Sequence, residues 1–367
     1  MVLNTRPIAL WALPVANLAG VARHTLDALT AGIPGWRAVV LCPPGPLVTR
    51  LQEAGVPVVA AAFGPDAGLR ASIQTLRHTC ATLRPALVHT HLAYADIVAA
   101  LTPLGGAARV STEHGIAADD LVYQGSRWRS QVMRRSHQAR LRRADHLIAV
   151  SHATADAMRA NWRTDASITI IPNGFDPPTD SVNRPATDAP RVLSLSRLAP
   201  EKRIEALLQA FALVVREHPG ARLTVAGDGE LDESLRALAG RLGVADRVDF
   251  PGFVDPSSAL ADCDVVAQLS VWENCSYTLL DAVGAGVGVV ASPVGGNPEI
   301  LPEQCLVDPD APAQVAAAIA RQGGIPAQRP RLPPSWPTPA GMAAAISEVY
   351  DGLDRPVSSG PRDAAKP

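Results

Sequence analysis

No two cysteines of the 367-residue chain stand in a CxxC spacing, and the five present, Cys42, Cys80, Cys263, Cys275 and Cys305, are scattered and odd in number. That argues against a zinc knuckle or a disulfide framework and for reduced thiols in a cytoplasmic protein. No apolar run reaches the ~20 residues needed to span a bilayer. Residues 6–22, "RPIALWALPVANLAGVA", resemble a signal peptide in having a basic residue before an apolar run. However, Pro7 and Pro14 bracket a run the length of one strand, and no convincing cleavage site follows. Charge of one sign is also lacking: a formal net charge of −2 argues against general nucleic-acid binding, which calls for a basic domain. What remains, 47% hydrophobic and 19% charged residues, describes a folded globular chain. Its length suits two domains of about 150–200 residues.

Short β-branched runs alternate with helical patterns throughout. The first half reads "IALWAL", "RAVVLC", "VPVVAA", "ALVHT", "ARVSTEH", "HLIAV" and "ITIIP". A proline-rich stretch at 176–191 reads as a linker, and the rhythm restarts with "RVLSLS", "RLTVAGDG", "RVDFPGF", "DVVAQLS" and "GVVASP". Alternation of this kind marks parallel sheets with helices on both faces. Two doubly wound domains facing a cleft are expected, with ligands beyond the carboxyl ends of the strands.

Four loops carry candidate chemistry. In "SVWENCSYTLLDAVGAG" two acids, Glu273 and Asp281, are eight positions apart, with Asn274 and Ser276 as helix-cap candidates. On a helix that spacing is ~12 Å, so the acids could grip two parts of an elongated ligand around an anion at the helix start. On spacing alone, a solvated loop acid and a surface helix acid are the simpler explanation. In "SLSRLAPEKR", Arg197 offers a planar fork and Lys202 a mobile charge, a pair suited to a diphosphate; two solvated surface cations are the plain alternative. "VAGDGE" places glycines after a strand, for close backbone approach or for a turn. The segment 127–143, "RWRSQVMRRSHQARLRR", carries seven arginines and no acid. It reads as a solvated helix or as a cationic face for anionic lipid or a lipid-linked acceptor.

In their order along the chain, "VHTH", "STEHG", "AVSHAT", "IIPNGFD", "LSRLAPEK", "VAGDGE", "FPGFVD" and "WENCSYTLLDAVGAG…VVASPVGGNPEI" resemble glycosyltransferase family 4. That resemblance implies a GT-B fold of two Rossmann-like doubly wound parallel-sheet domains. Residues 1–178 would form the acceptor-side domain and 190–335 the nucleotide-sugar donor domain. Residues 338–353 would be a helix crossing back to the first domain, and 354–367 a disordered tail. It implies retaining transfer of a hexosyl unit from a nucleoside-diphosphate sugar, UDP ahead of GDP, to a hydroxyl acceptor, without metal or cofactor. Cell-envelope polysaccharide or glycolipid synthesis would be the setting, in the cytoplasm or at the inner face of the membrane. His114 and Glu273 would be the catalytic residues. Arg197, Lys202, Ser276, Tyr277, Thr278 and Gly20 would hold the diphosphate, and Gly227, Phe253, Val254 and Asp281 the nucleoside.

Three positions depart from the family pattern. Asp281 stands in place of a glutamate, Ala19 where a glycine pair begins, and Gly288 where proline is common. A sugar-nucleotide epimerase and a non-catalytic sugar-nucleotide-binding partner subunit are the alternatives. Among decoys, Asp262 and Asp264 mimic a DxD metal motif, and 284–288 mimics a dinucleotide loop but follows a helix. His89 and His91 suggest a metal pair but show no third ligand nearby, and read instead as strand-end residues close to an acceptor.

Overall fold

The computed structural model describes residues 6–115, 138–162, 164, 166–176 and 184–353. Most of the arginine-rich segment 127–143 and the whole tail 354–367 lie outside the described residues. Two parallel sheets organise the chain. The first contains β1 (Ile8–Ala12), β2 (Arg37–Cys42), β3 (Val58–Ala60), β4 (Leu87–His91), β5 (Ala108–Glu113), β6 (His146–Ala149) and β7 (Ile168–Ile170), in the order β3-β2-β1-β4-β5-β6-β7. The second contains β8 (Arg191–Leu195), β9 (Arg222–Ala226), β10 (Val248–Gly252), β11 (Val265–Gln268) and β12 (Gly288–Ala291), in the order β10-β9-β8-β11-β12. In both, the winding direction reverses beside the first strand, at β1/β4 and at β8/β11. Loops leaving strands on either side of such a switch point separate and open a crevice.

Burial on both faces explains the unbroken apolar strands. Along β1, alternate side chains face opposite layers. Ala9 and Trp11 pack with Leu13 against α1 (Gly20–Ala31), while Leu10 and Ala12 join Phe63, Leu76 and Val98 on the other face. The further helices α2 (Pro46–Glu53), α3 (Leu69–Leu83), α4 (Ala93–Leu101) and α5 (His152–Trp162) complete the first layers. Around the second sheet lie α6 (Ile204–Glu217), α7 (Asp232–Arg241), α8 (Pro256–Ala261), α9 (Tyr277–Gly284), α10 (Asn297–Ile300) and α11 (Pro312–Gly324). The last helix, α12 (Pro339–Asp351), is capped by Thr338 and buries Met342, Ile346 and Tyr350 in the core of the first sheet. Among the described residues no helix is long and apolar enough to cross a membrane.

One ionic cluster is sealed inside the first domain. The Arg140 guanidinium donates to Asp96 and, at 2.7 Å, to Glu113, and all three side chains are buried. Thr90 and Ser111 also donate to Asp96. Burial pushes the Glu113 carboxyl up to about 8.

Candidate active site

The switch point of the second sheet brings two of the predicted diphosphate residues, Lys202 and Thr278, to one pocket. This small pocket is lined by Ser194, Ser196, Lys202, Gln268, Ser270 and Thr278. Lys202 arrives on a 3-10 turn after β8, and its Nζ lies 2.5 Å from Glu273 Oε1, with both side chains mostly shielded from solvent. Glu273 sits in the loop before α9, so the helical estimate of its distance from Asp281 does not apply; only Asp281 is on the helix. Ser276 caps that helix, accepting from Leu279 N at 3.4 Å and from Gln268 Nε2 at 3.0 Å. Its hydroxyl therefore serves the helix start, and the first amides, those of Tyr277 and Thr278 among them, have no acceptor within the helix. The Glu273 loop is held from behind: a Cβ at Gly295 would overlap the Glu273 carbonyl, and one at Gly296 the Asn274 carbonyl.

Arg197 is more remote. Its guanidinium is largely exposed and donates to Glu201 at 2.6 Å rather than to the Lys202–Glu273 pair. Gly227 has φ +127°, and a Cβ there would collide with the Ser196 carbonyl, so this glycine lets the loops after β8 and β9 touch. Phe253, 80% exposed, and the partly buried Val254 follow β10 at the edge of the same end of the sheet. Gly20 opens α1, with space around it. Ala19 before it takes extended backbone that alanine adopts without strain, so its departure from the glycine pattern is tolerated. Gly288 is required because α11 leaves no room: a Cβ would meet Gln322 at 2.8 Å.

Asp281 has a partner that the sequence reading missed. Arg23, on α1 of the first domain, donates to both its oxygens, at 2.5 and 2.8 Å, and lies over the Tyr277 ring at 4.2 Å. Tyr277 and Asp281, one turn apart on α9, hold the guanidinium between them. Other links also cross the cleft. Asn173 donates to the Cys275 carbonyl at 2.8 Å, Thr154 to Asn274 at 2.9 Å, and Glu299 accepts from the first amides of α5 at 3.0 Å. Long-range cross-domain pairs leave no periodic signal, so none was visible in the sequence.

The histidines need two corrections. His89 is no acceptor contact: it is wholly buried, with Nδ1 2.5 Å from the Tyr350 hydroxyl and Nε2 2.7 Å from Thr112. His91 does have near neighbours of the same kind. The β1–α1 turn brings His24 to it, β5 brings His114, and one ring nitrogen from each lies within 4.8 Å of the others. Burial holds His24 down to about 4, and burial plus neighbouring imidazoles holds His89, His91 and His114 well below 6.5. At neutral pH His114 is thus an uncharged hydrogen-bonding group. The DxD decoy lies at the wrong end of the sheet: Asp264 precedes β11 and pairs with Arg191 at 2.9 Å.

The low imidazole values imply a pH dependence. The unfolded chain binds protons near pH 6.5 that these sites refuse when folded. Their stabilisation is therefore complete above pH 6.5 and is lost progressively as pH falls toward 4. Each buried histidine should contribute about 1.4 kcal/mol per pH unit over that window. Melting temperatures from pH 7.5 to 4.5 should fall more steeply for the native chain than for His24→Gln; parallel curves would contradict this.

Two Rossmann-like domains with a cationic pocket and a capped helix start at the cleft define a GT-B protein. The glycosyltransferase family 4 model matches residues 19–178 and the glycosyl transferases group 1 model residues 189–322. The chain is 30% identical over 391 residues to a glycogen synthase of Mycobacterium tuberculosis, covering 93% of this chain and 92% of that one. It is 33% identical over 202 residues to the same organism's GDP-mannose-dependent alpha-(1-6)-phosphatidylinositol monomannoside mannosyltransferase, covering 48% and 52%. The fold matches that of Anabaena Alr3699/HepE in complex with UDP-glucose, with TM-score 0.73, 22% identity, and coverage of 95% and 100%. The chain belongs to glycosyltransferase family 4, and it is a glycosyltransferase.

Proposed function

We propose that the chain transfers a hexosyl unit from a nucleoside-diphosphate sugar to a hydroxyl acceptor with retention of anomeric configuration. The observation that supports this reading is the Lys202–Glu273 pair, 2.5 Å apart, with Lys202 lining the pocket beside the start of α9. Lys202 and the first amides of α9 take the diphosphate, with Arg197 swinging in from its exposed position. Gly20, at the start of α1, faces the donor from the other domain. Glu273 holds hydroxyls of the transferred sugar, and neutral His114 orients that sugar from the opposite wall. The backbone at Gly227 and the Phe253–Val254 edge take the base. The acceptor attacks on the face the diphosphate leaves, and the departing phosphate oxygen takes the acceptor proton. Catalysis then consists of positioning and stabilisation of leaving-group charge, with no metal or cofactor asked for.

A UDP-hexose is the first donor to try and a GDP-hexose the second. Among relatives, one is named for a polysaccharide and another for a phosphatidylinositol mannoside. The acceptor proposed here is accordingly a saccharide or lipid-linked hydroxyl of cell-envelope synthesis. Incubation with each donor and a panel of such acceptors should release nucleoside diphosphate and give an axial-linked product by NMR from an axial donor. An equatorial product would overturn retention, and sugar interconversion without acceptor would point to an epimerase.

Donor ribose and Arg23 compete for Asp281 in this reading. Charge-assisted hydrogen bonds contribute about 1.5–3 kcal/mol, or roughly 10–100-fold in affinity. Calorimetry should show weaker donor binding in Asp281→Ala and tighter binding in Arg23→Ala. Unchanged affinity in Asp281→Ala would make that acid a structural partner of Arg23 alone.

A further inference from the structure

The proposed sugar-transfer chemistry leaves a buried imidazole nitrogen on α1 unexplained, His24 Nε2, which has no hydrogen-bond partner. For His24 the tautomer is settled by its neighbour. Asn173 donates through Nδ2 to the Cys275 carbonyl at 2.8 Å, so its Oδ1 is the atom facing His24 Nδ1 at 3.0 Å. His24 Nδ1 therefore carries the proton, and Nε2 presents a lone pair inside the protein. An imidazole oriented by an oxygen acceptor on its far nitrogen is the usual arrangement of a metal-binding histidine.

The other two rings complete a pattern. His91 Nδ1 and His114 Nε2 are 2.8 Å apart, close for two nitrogens that share one proton and also close enough to share one cation. Imidazoles bound to one tetrahedral zinc at about 2.0–2.1 Å have ring centroids about 5 Å apart. Here the centroids lie 4.7 Å (His24–His114), 5.1 Å (His91–His114) and 5.6 Å (His24–His91) apart. Ligation requires the three rings to turn until their ring nitrogens converge. The acid next to His114 in sequence, Glu113, is engaged by Arg140. The donor set is thus three neutral imidazoles, which suits zinc, copper or nickel and not magnesium or calcium. His114 is only partly buried and offers a route in from the cleft.

We propose that His24, His91 and His114 form a three-imidazole binding site for a divalent transition metal of the zinc class, on the first-domain wall of the cleft. The metal does no transfer chemistry. It occupies the nitrogen of His114 and ties α1, β4 and β5 together, so it stabilises the first domain and withdraws His114 from sugar. Binding is measured without donor, so its result stands apart from the donor assignment.

The test uses the full chain, freed of any affinity tag, stripped of metal with chelator and titrated with Co2+ as a spectroscopic probe. One equivalent should bind with the intense visible bands of low-coordinate, nitrogen-ligated cobalt. Zn2+ should displace it and Mg2+ should not. His24→Gln and His114→Gln should each weaken binding at least tenfold, and Asn173→Ala by ten- to a hundredfold through lost orientation. Zn2+ should also raise the melting temperature of the native chain more than that of His24→Gln. A spectrum of fully hydrated cobalt with the native chain would overturn the site. Equal affinity in native chain, His24→Gln and His114→Gln would do the same, by placing the metal elsewhere.

Discussion

Lys202→Ala and Glu273→Ala are each expected to cut glycosyl transfer by about 10²–10³-fold, the loss seen when one preorganised group that stabilises developing charge is removed. The two side chains meet at 2.5 Å in a largely shielded pocket, so each alanine leaves the other charge without its partner. A stability cost of about 1 kcal/mol should accompany each change, small beside the kinetic effect. Because the residues act as a unit, the double variant should lose much less than the product of the single losses. Turnover within a few-fold of native in either single variant, with folding confirmed by circular dichroism, would remove that residue from the mechanism.

Arg140→Met should be strongly destabilising, at about 3–5 kcal/mol. The substitution strips the guanidinium that contacts both Asp96 and Glu113 and leaves two buried acid groups without their cation. Neutralising them should restore stability: the triple variant Arg140→Met, Asp96→Asn, Glu113→Gln should recover most of the loss in urea denaturation. Recovery is the informative part, because a purely steric role for Arg140 would leave the triple variant as unstable as the single one.

The layered architecture was legible because parallel strands buried on both faces leave apolar runs that the sequence displays directly, as "IALWA" and "RAVVLC" do. The placement of Lys202 shortly after one strand, and of Glu273 and the Ser276 cap shortly after another and at a helix start, was also legible, since each lies within a few residues of its own strand or helix end. What stayed hidden depends on distance in sequence. Arg23 meets Asp281 across 258 positions, and His24 reaches His91 only because α1 folds back beside β4. Neither pairing has a periodicity to detect. His89 was misread because a strand-end histidine looks the same whether it faces a cleft or, as here, hydrogen-bonds to Tyr350 on α12.

A nucleoside-diphosphate sugar is expected to bind at Lys202 and the start of α9. A thermal-shift panel of UDP-, GDP- and ADP-sugars tests this most directly, with the native chain beside Lys202→Ala. Ligand at 100 times its Kd stabilises by about 2.7 kcal/mol, so one donor class should raise the native melting temperature by several degrees. That shift should vanish in Lys202→Ala. No shift with any nucleotide sugar, or an equal shift in the variant, would contradict the account.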